Sequence, residues 1–524
     1  METRRYPVDT QTFSTVIENK CVYIDKTALV YKMAKEYRYV FLSRPRRFGK
    51  SLLCSTLDEY FNGNKDLFKG LKIETLEKDW IKYPVLNFSF AKAKTNNLDV
   101  FRASCELMLQ QYETKFNIPI IKDGLNNRLL NIVIQLHEKF GQKVVIIIDE
   151  YDAPMLNAID NDAFQNQIRE IQYEFFSPLK DLDPHIRFVF LTGITKFSQM
   201  SIFSALNNLK DISLLPEFET ICGISKDEFL TTLKPDIQNF ADKNGYTFDN
   251  TVKYFKNKYD GYHFSSEMQN VFNPYSVINA LNDKKLNDYW FDSGTPSSLL
   301  KLINKFDIQM EDYDGVECSA SRFNKPVEKV TDLVPFLFQA GYLTIKDYKS
   351  EIDEDSFYET YTLSYPNGEV RFAFANCLFT DFYKVHENIV LRDAYIAFKK
   401  DDNIDNFIKH LKVFFDAFPF SLNNQNEKHY HSILYTLLTS FGANISANVE
   451  TALGKADLIL KMPKTIYVIE LKYDRSVESA KRQIAFRRYA KAYFDEGKKV
   501  VKLAIKFSSK DRNIESYKIG IKNS

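Results

Sequence analysis

Two carboxylates and a lysine stand close together near the end of this chain. Gly454-Lys455-Ala456-Asp457-Leu458-Ile459-Leu460 leads into a Pro463-Lys464 turn and out through Tyr467-Val468-Ile469-Glu470-Leu471-Lys472. Apolar and polar residues alternate on both sides of the turn, the period-two pattern of half-buried strands joined as a hairpin. A turn centred between Pro463 and Lys464 puts Asp457 opposite Glu470. Residues two apart share a strand face, so Lys472 joins them, while Leu458, Leu460, Ile469 and Leu471 are expected to point into a core. The set suits metal-dependent phosphodiester cleavage. Two acids across a hairpin can hold a hard cation such as Mg2+ with positions left for water. The ion activates a water and neutralises charge on the scissile phosphate, and the ammonium orients the water or stabilises the transition state. An isolated Glu-x-Lys is more often an ordinary surface ion pair, so its surroundings decide.

Three surroundings favour chemistry. Glu427, in Asn426-Glu427-Lys428-His429-Tyr430-His431, opens an apolar-periodic run through Ile433, Leu434, Leu437, Leu438 and Phe441, which predicts a helix ahead of the hairpin. Glu450 ends an expected strand just upstream and reads either as a metal-side acid or as a structural residue. A further helix, roughly 477–494, carries Gln483 and Tyr489 among basic residues. From Lys472 to Ser524 there are 15 Lys and Arg against 6 Asp and Glu, a net +9 in a chain whose total is +1. Such a local excess is what a phosphate backbone attracts.

The other informative stretch lies near the start. After the apolar Tyr39-Val40-Phe41-Leu42 come Ser43-Arg44-Pro45-Arg46-Arg47-Phe48-Gly49-Lys50-Ser51, then a helical pattern through Leu52, Leu53, Leu57 and Tyr60. This is a phosphate-binding loop in its strand-to-helix setting, with Arg44 where the first glycine of G-x-x-x-x-G-K-[ST] would stand. Backbone N–H groups of Arg46, Arg47, Phe48 and Gly49 are placed to meet phosphate oxygens, Lys50 to reach the β/γ-phosphates and Ser51 to ligate Mg2+. Val144 to Ile148 form a buried-strand run ending in Asp149-Glu150. Asp149 is expected to hold the nucleotide's Mg2+ and Glu150 to polarise the attacking water. A later strand, 186–192, ends at Thr192, the candidate γ-phosphate sensor, with Thr195 and Lys196 nearby. Arg44, Arg46 and Arg47 are suited either to phosphates of the same chain or to a neighbouring protomer.

Helix with Glu, strand with Asp, strand with Glu-x-Lys, then helix with Gln and Tyr resembles the PD-(D/E)XK nuclease superfamily. That resemblance implies metal-dependent DNA hydrolysis with Asp457, Glu470 and Lys472 catalytic, Glu427 as the upstream acid and Gln483 at the helix position. Arg44 to Ser51, Ile148 to Pro154, Leu206 to Leu209, Tyr259 to Phe264, Asn273 to Ser276 and Tyr365 to Val370 resemble bacterial AAA-ATPase-like proteins that carry such a nuclease domain. The resemblance spans nearly the whole chain. It implies an α/β fold with a P-loop AAA-type ATPase core (1–223), a helical lid (224–304) and a restriction-endonuclease-like α/β domain (425–524); the helix and strand pattern within 305–375 resembles a winged helix, with a purely structural or protein-contacting module as the alternative, and 376–424 reads as a helical linker. ATP and Mg2+ are the implied cofactors, DNA the implied partner, and a homo-oligomer is compatible with it.

Composition agrees with a cytoplasmic globular protein: 524 residues, 44% hydrophobic and 27% charged. No apolar run approaches a membrane span, and the first residues lack a signal-peptide core. Six scattered cysteines show no metal-ligand spacing and are expected to be reduced. His263 reads as a structural histidine in an aromatic loop. The segment 351–359 is acidic, which argues against DNA contact by a wing there. The function expected is an ATP-regulated or ATP-driven DNA endonuclease. The alternative is a nucleotide-controlled regulatory or assembly switch whose nuclease fold binds DNA or protein.

Overall fold

The computed structural model describes residues 4–93, 97–196, 208–293, 297–306, 308–327, 331–353, 355–383, 385, 388–418, 426–451, 454–476 and 497–522. The chain divides into two compact units, Met1–Leu302 with Glu317–Asn367, and Ile303–Val316 with Gly368–Ser524.

The first unit is built on a parallel sheet. Strands β1 (Tyr39–Ser43), β2 (Val85–Ser89), β3 (Val144–Asp149), β4 (Ile186–Gly193) and β5 (Lys210–Asp211) pair in the order β2-β3-β4-β1-β5. β1 and β3 are buried along their whole length, as a parallel sheet covered on both faces requires. Although β2 lies between the phosphate loop and β3 in sequence, it takes the edge, and β4 lies between β1 and β3. The loops leaving β1 and β3 therefore flank the end of β4, the place where an open α/β sheet binds ligands.

The stretch expected as a helical lid holds the helices Lys226–Thr231, Lys234–Asn244, Phe248–Tyr259 and Pro274–Asp283. Phe229, Leu233, Ile237, Phe240, Phe255 and Leu281 form its core. The first of these helices opens with a capping box between Ser225 and Glu228.

The stretch expected as a separate winged-helix module is shared between the units instead. A six-residue helix, Val334–Gln339, precedes a hairpin of Thr344–Asp353 and Ser356–Ser364. The hairpin base is tied into the first unit: Lys346 Nζ donates to the carbonyls of Gly261 (3.0 Å) and Pro366 (2.7 Å). The acidic stretch read as a loop belongs to the paired strands, with Tyr358 opposite Glu351. Long exposed strands with polar and acidic side chains lack an apolar alternation, which is why the pattern concealed them. His263 is structural, its ring nitrogens lying 2.6 Å from Ile345 O and 2.7 Å from Asn270 Oδ1.

In the second unit, Asn444–Thr451, Gly454–Lys461, Thr465–Tyr473, Lys499–Ser508 and Asn513–Lys522 form one sheet in that order. All neighbours are antiparallel except Thr465–Tyr473 with Lys499–Ser508. The helix Glu427–Ser440 packs against the first three of these strands. Asn426 caps it, its side chain accepting from His429 N at 2.8 Å. The expected 477–494 helix, with Gln483 and Tyr489, lies outside the described residues.

Candidate functional site

The hairpin register pairs Leu458 with Ile469 and Lys461 with Ile466, which carries Asp457 opposite Glu470. Strand pairing stops at this point. The Asp457 carboxylate accepts the Leu471 amide at 2.7 Å, replacing the backbone acceptor that a continuing ladder would supply. The face carrying the acids is not open along its length, because Ile459, Ile466 and Val468, which share it by parity, are buried in an apolar cluster. Period-two alternation predicts half-buried strands, but here Thr465–Tyr473 is buried on both faces up to Lys472.

Glu470 is 0% exposed and Lys472 5%. Lys472 Nζ donates to Glu470 Oε1 at 3.0 Å, to Glu427 Oε1 at 3.2 Å and to Leu471 O at 2.7 Å. Glu427 Oε2 accepts Tyr473 N at 3.3 Å, so the helix acid does reach the hairpin. Burial, and then the charge of Asp457, push the Glu470 carboxyl up to about 7. Burial also raises Asp457, against the Leu471 amide and Lys472, which lower it. Burial works against the Lys472 ammonium, yet the surrounding acids, Glu470 foremost, hold it above its ordinary value.

Three carboxylates thus share one ammonium, and Glu470 Oε2 is buried without a hydrogen-bond partner. A buried carboxylate oxygen in that state is costly unless a cation meets it. The residues therefore fit a hard divalent cation held by Asp457 and Glu470. No group of three or more His, Cys, Asp or Glu side chains is arranged to hold a metal among the described residues. An ion held by those two carboxylates would keep positions for water, as Mg2+ does. Glu450 lies in the strand Asn444–Thr451.

The nucleotide side is built differently. Arg47 (φ +64°) and Gly49 (φ +94°) turn the phosphate loop, and Gly49 initiates the helix Lys50–Phe61. An added Cβ at Gly49 meets nothing within 4 Å, so its backbone conformation, not crowding, calls for glycine there. Lys50 Nζ donates to the carbonyls of Arg44 (3.0 Å) and Pro45 (2.9 Å) within its own loop. Burial raises the Asp149 carboxyl, against the Ser51 hydroxyl and the charge of Lys50, which lower it. Asp149 Oδ1 is buried without a partner, so Asp149 with Ser51 also fits a cation. Glu150 follows at φ +51°, in the left-handed region that a non-glycine residue enters at a cost. Burial, then the charge of Asp149, raises its carboxyl.

The structure divides the three loop arginines. Arg44, expected to meet phosphates of the same chain or a neighbouring protomer, is 1% exposed, and its guanidinium donates to the carbonyls of Ser43, Ser213, Phe218 and Glu219 at 2.7–3.4 Å while lying over the Phe264 ring. It fills the role of an internal clamp. Arg46 lies over the Trp290 ring, with Nε and Nη2 buried and unpartnered. Arg47 is exposed and lies over Tyr275. The Phe48 ring packs edge-on against Tyr262 and Phe264, leaving its backbone to the loop. Thr192, the expected sensor, is fully buried and donates to Leu42 O at 2.7 Å. Lys196 pairs with Asp211 and donates to Asn324 Oδ1.

Beside the loop lies a cavity of about 510 Å³, walled by Val8, Tyr23, Leu53 and Ile278 and edged by Arg47, Gly49 and Asn279. Its apolar walls and polar edge suit a base and ribose. Two residues escaped the reading of the sequence. Asp152, 1% exposed, accepts from Ile194 N, Thr195 N and Thr195 Oγ1 at 2.6–2.9 Å and pins the end of β4; its place in Asp149-Glu150-Tyr151-Asp152 was the available signal. Glu311, bonded to His431 from far along the chain, left no local signal.

Comparison with known proteins agrees with both halves. Residues 7–203 match the family described as "Predicted AAA-ATPase", and residues 425–517 match the PD-(D/E)XK nuclease superfamily. An "Uncharacterized protein in vnfD 5'region" of Azotobacter chroococcum mcd 1 is 28% identical over 535 residues, covering 99% of each chain. No solved structure matches. Among the described residues no helix is long and apolar enough to cross a membrane. With a phosphate loop and a β3 acid in one unit and a Glu-x-Lys hairpin opposite an Asp in the other, the chain is similar to predicted AAA-ATPases over residues 7–203 and to the PD-(D/E)XK nuclease superfamily over residues 425–517.

Proposed function

We propose that the protein hydrolyses ATP and cleaves DNA endonucleolytically with a divalent metal, nucleotide state gating cleavage, in the cytoplasm, where its free cysteines stay reduced. The observation that carries the nuclease half is the buried, unpartnered Glu470 Oε2 beside Asp457, with Lys472 spanning Glu470 and Glu427. Asp457 and Glu470 would hold the cation, which supplies positive charge to the scissile phosphate and lowers the pKa of a bound water. Lys472, kept charged by three acids, is placed to orient the attacking water or stabilise charge on the phosphate. Glu427 holds Lys472 in register. Gln483 and the basic residues after Lys472 are assigned to DNA.

On the nucleotide side, Lys50 would exchange its two loop carbonyls for phosphate oxygens, while Ser51 and Asp149 hold Mg2+ and Glu150 polarises water. Backbone N–H groups of residues 46–49 are assigned to phosphate, and Thr192 to the fixed end of β4 near the γ-phosphate. The alternative, a nucleotide-controlled assembly switch, draws support from the same Lys50 contacts, since a loop closed on itself must rearrange when nucleotide enters.

The test is incubation of linear, circular and single-stranded DNA with Mg2+ or Mn2+, with and without ATP, using wild type, Asp457→Ala and Lys50→Ala. Cleavage lost in Asp457→Ala supports the nuclease, and its dependence on Lys50 supports gating. ATP turnover without cleavage under every condition favours the switch.

A further inference from the structure

We infer that Glu311 is a positioning residue of the nuclease site, and that the segment carrying it, 303–316, is the path by which nucleotide state reaches that site. The second half rests on the proposed ATP gating. The chain course provides the first argument. Residues 303–316 fold into the nuclease unit, although the chain before Ile303 and after Val316 belongs to the ATPase unit. The segment is therefore tethered at both ends to the unit that binds nucleotide, and displacement of either tether is transmitted along it.

Its contacts provide the second. The short turn Met310–Tyr313 packs on the Glu427–Ser440 helix. Asp312 pairs with Lys428 at 3.3 Å, Glu311 with His431 at 3.0 Å, and Asp314 accepts from Tyr435 Oη at 2.7 Å. Positions 428, 431 and 435 form one stripe of the helix, so the segment grips the element whose first residue, Glu427, holds Lys472. Glu311 also accepts from the Ser432 hydroxyl.

The relay ends on a catalytic residue. His431 Nε2 lies 2.9 Å from the backbone carbonyl of Asp457. With an acceptor at each ring nitrogen, the imidazole donates at both, and Glu311 is its counter-ion. Glu311 Oε1, His431 and Asp457 O thus form a continuous chain of contacts behind the metal-facing carboxylates. Glu311 is 5% exposed and its Oε2 has no partner, a poor arrangement for stability alone, where a neutral side chain would cost less. Small displacements matter here, since misplacing a reacting group by about 1 Å can cost roughly 100-fold in rate.

The experiment uses full-length wild type, Glu311→Gln, His431→Gln, Asp312→Asn and Lys50→Ala. Hydrogen exchange is followed with and without adenylyl-imidodiphosphate, and Mn2+ binding by calorimetry. Nucleotide should change exchange in peptides covering 308–316 and 455–473 of wild type and Asp312→Asn, and in neither peptide of Lys50→Ala. Glu311→Gln should retain the first change, lose the second and bind Mn2+ about tenfold more weakly, with thermal unfolding close to wild type; His431→Gln should match it. A wild-type nucleotide response at 455–473 in Glu311→Gln overturns the path, as does its absence from nucleotide-bound wild type. Unchanged Mn2+ affinity in both Gln variants overturns the positioning role. A wild type that relays the signal but never cleaves DNA sinks the nuclease reading and leaves the relay standing. A wild type that binds no nucleotide sinks the gating reading and the path together, and Mn2+ affinity then decides the positioning role.

Discussion

At the end of β1 two of the donors that would meet a nucleotide's phosphates are already bonded within the protein. Lys50 is held by two loop carbonyls and Thr192 by Leu42, while one Asp149 oxygen is buried without a partner. At the C-terminal hairpin carboxylates outnumber the donors. Glu427, Glu470 and Asp457 surround a single ammonium, and one Glu470 oxygen has no partner. At the first site Lys50 is spent on the loop's own carbonyls, so a phosphate must displace those hydrogen bonds to enter. The second is assembled around an excess of negative charge, and a cation would relieve it. The difference follows from the ligands: a triphosphate can exchange donors one at a time, whereas hard-cation coordination needs carboxylates already gathered.

The sharpest way to break this comparison is to remove the charge excess. Glu470→Gln should abolish detectable Mn2+ binding at the hairpin and lower DNA cleavage by about 10³-fold or more, measured by calorimetry and single-turnover assay. Retained metal binding would mean that the orphaned oxygen is not a ligand. The next effect belongs to the nucleotide side. Arg44→Ala should destabilise the ATPase unit by about 3 kcal/mol in denaturant unfolding, because four buried carbonyls lose their donor. A loss of nucleotide affinity with stability intact would return Arg44 to the phosphates.

Acidity separates the sites further. With Glu470 held up to about 7, protons compete with metal below that value. Mn2+ affinity should rise with pH by up to about tenfold per unit and level off above 7. The sign for stability is the reverse. Without metal the folded state binds the proton more tightly than the unfolded chain, so stability falls as pH rises from the ordinary carboxylate value towards 7. The slope for one proton is at most about 1.4 kcal/mol per unit, and thermal unfolding with a chelator checks it. The smallest effect is at the phosphate loop, where Gly49→Ala should cost about 1 kcal/mol through its positive φ. A loss of nucleotide affinity greater than that of stability would show that the loop conformation itself is part of the site.

The chain order alone determined a good deal. Glycine, lysine and serine in a row after an apolar run, two acids closing a β-branched run, and Asp, Glu and Lys spaced about a Pro-Lys turn are local patterns whose geometry follows from strand and helix periods. Even the opposition of Asp457 and Glu470 was legible, because a hairpin's register is set by its own turn. Tertiary structure decided what sequence distance conceals. It placed β4 between β1 and β3, turned Arg44 inward onto carbonyls, spent the Thr192 hydroxyl on Leu42, and brought Glu311 to His431 across 120 positions of chain. Those outcomes depend on which distant groups are buried together, and a buried polar group takes whatever partner packing puts within reach.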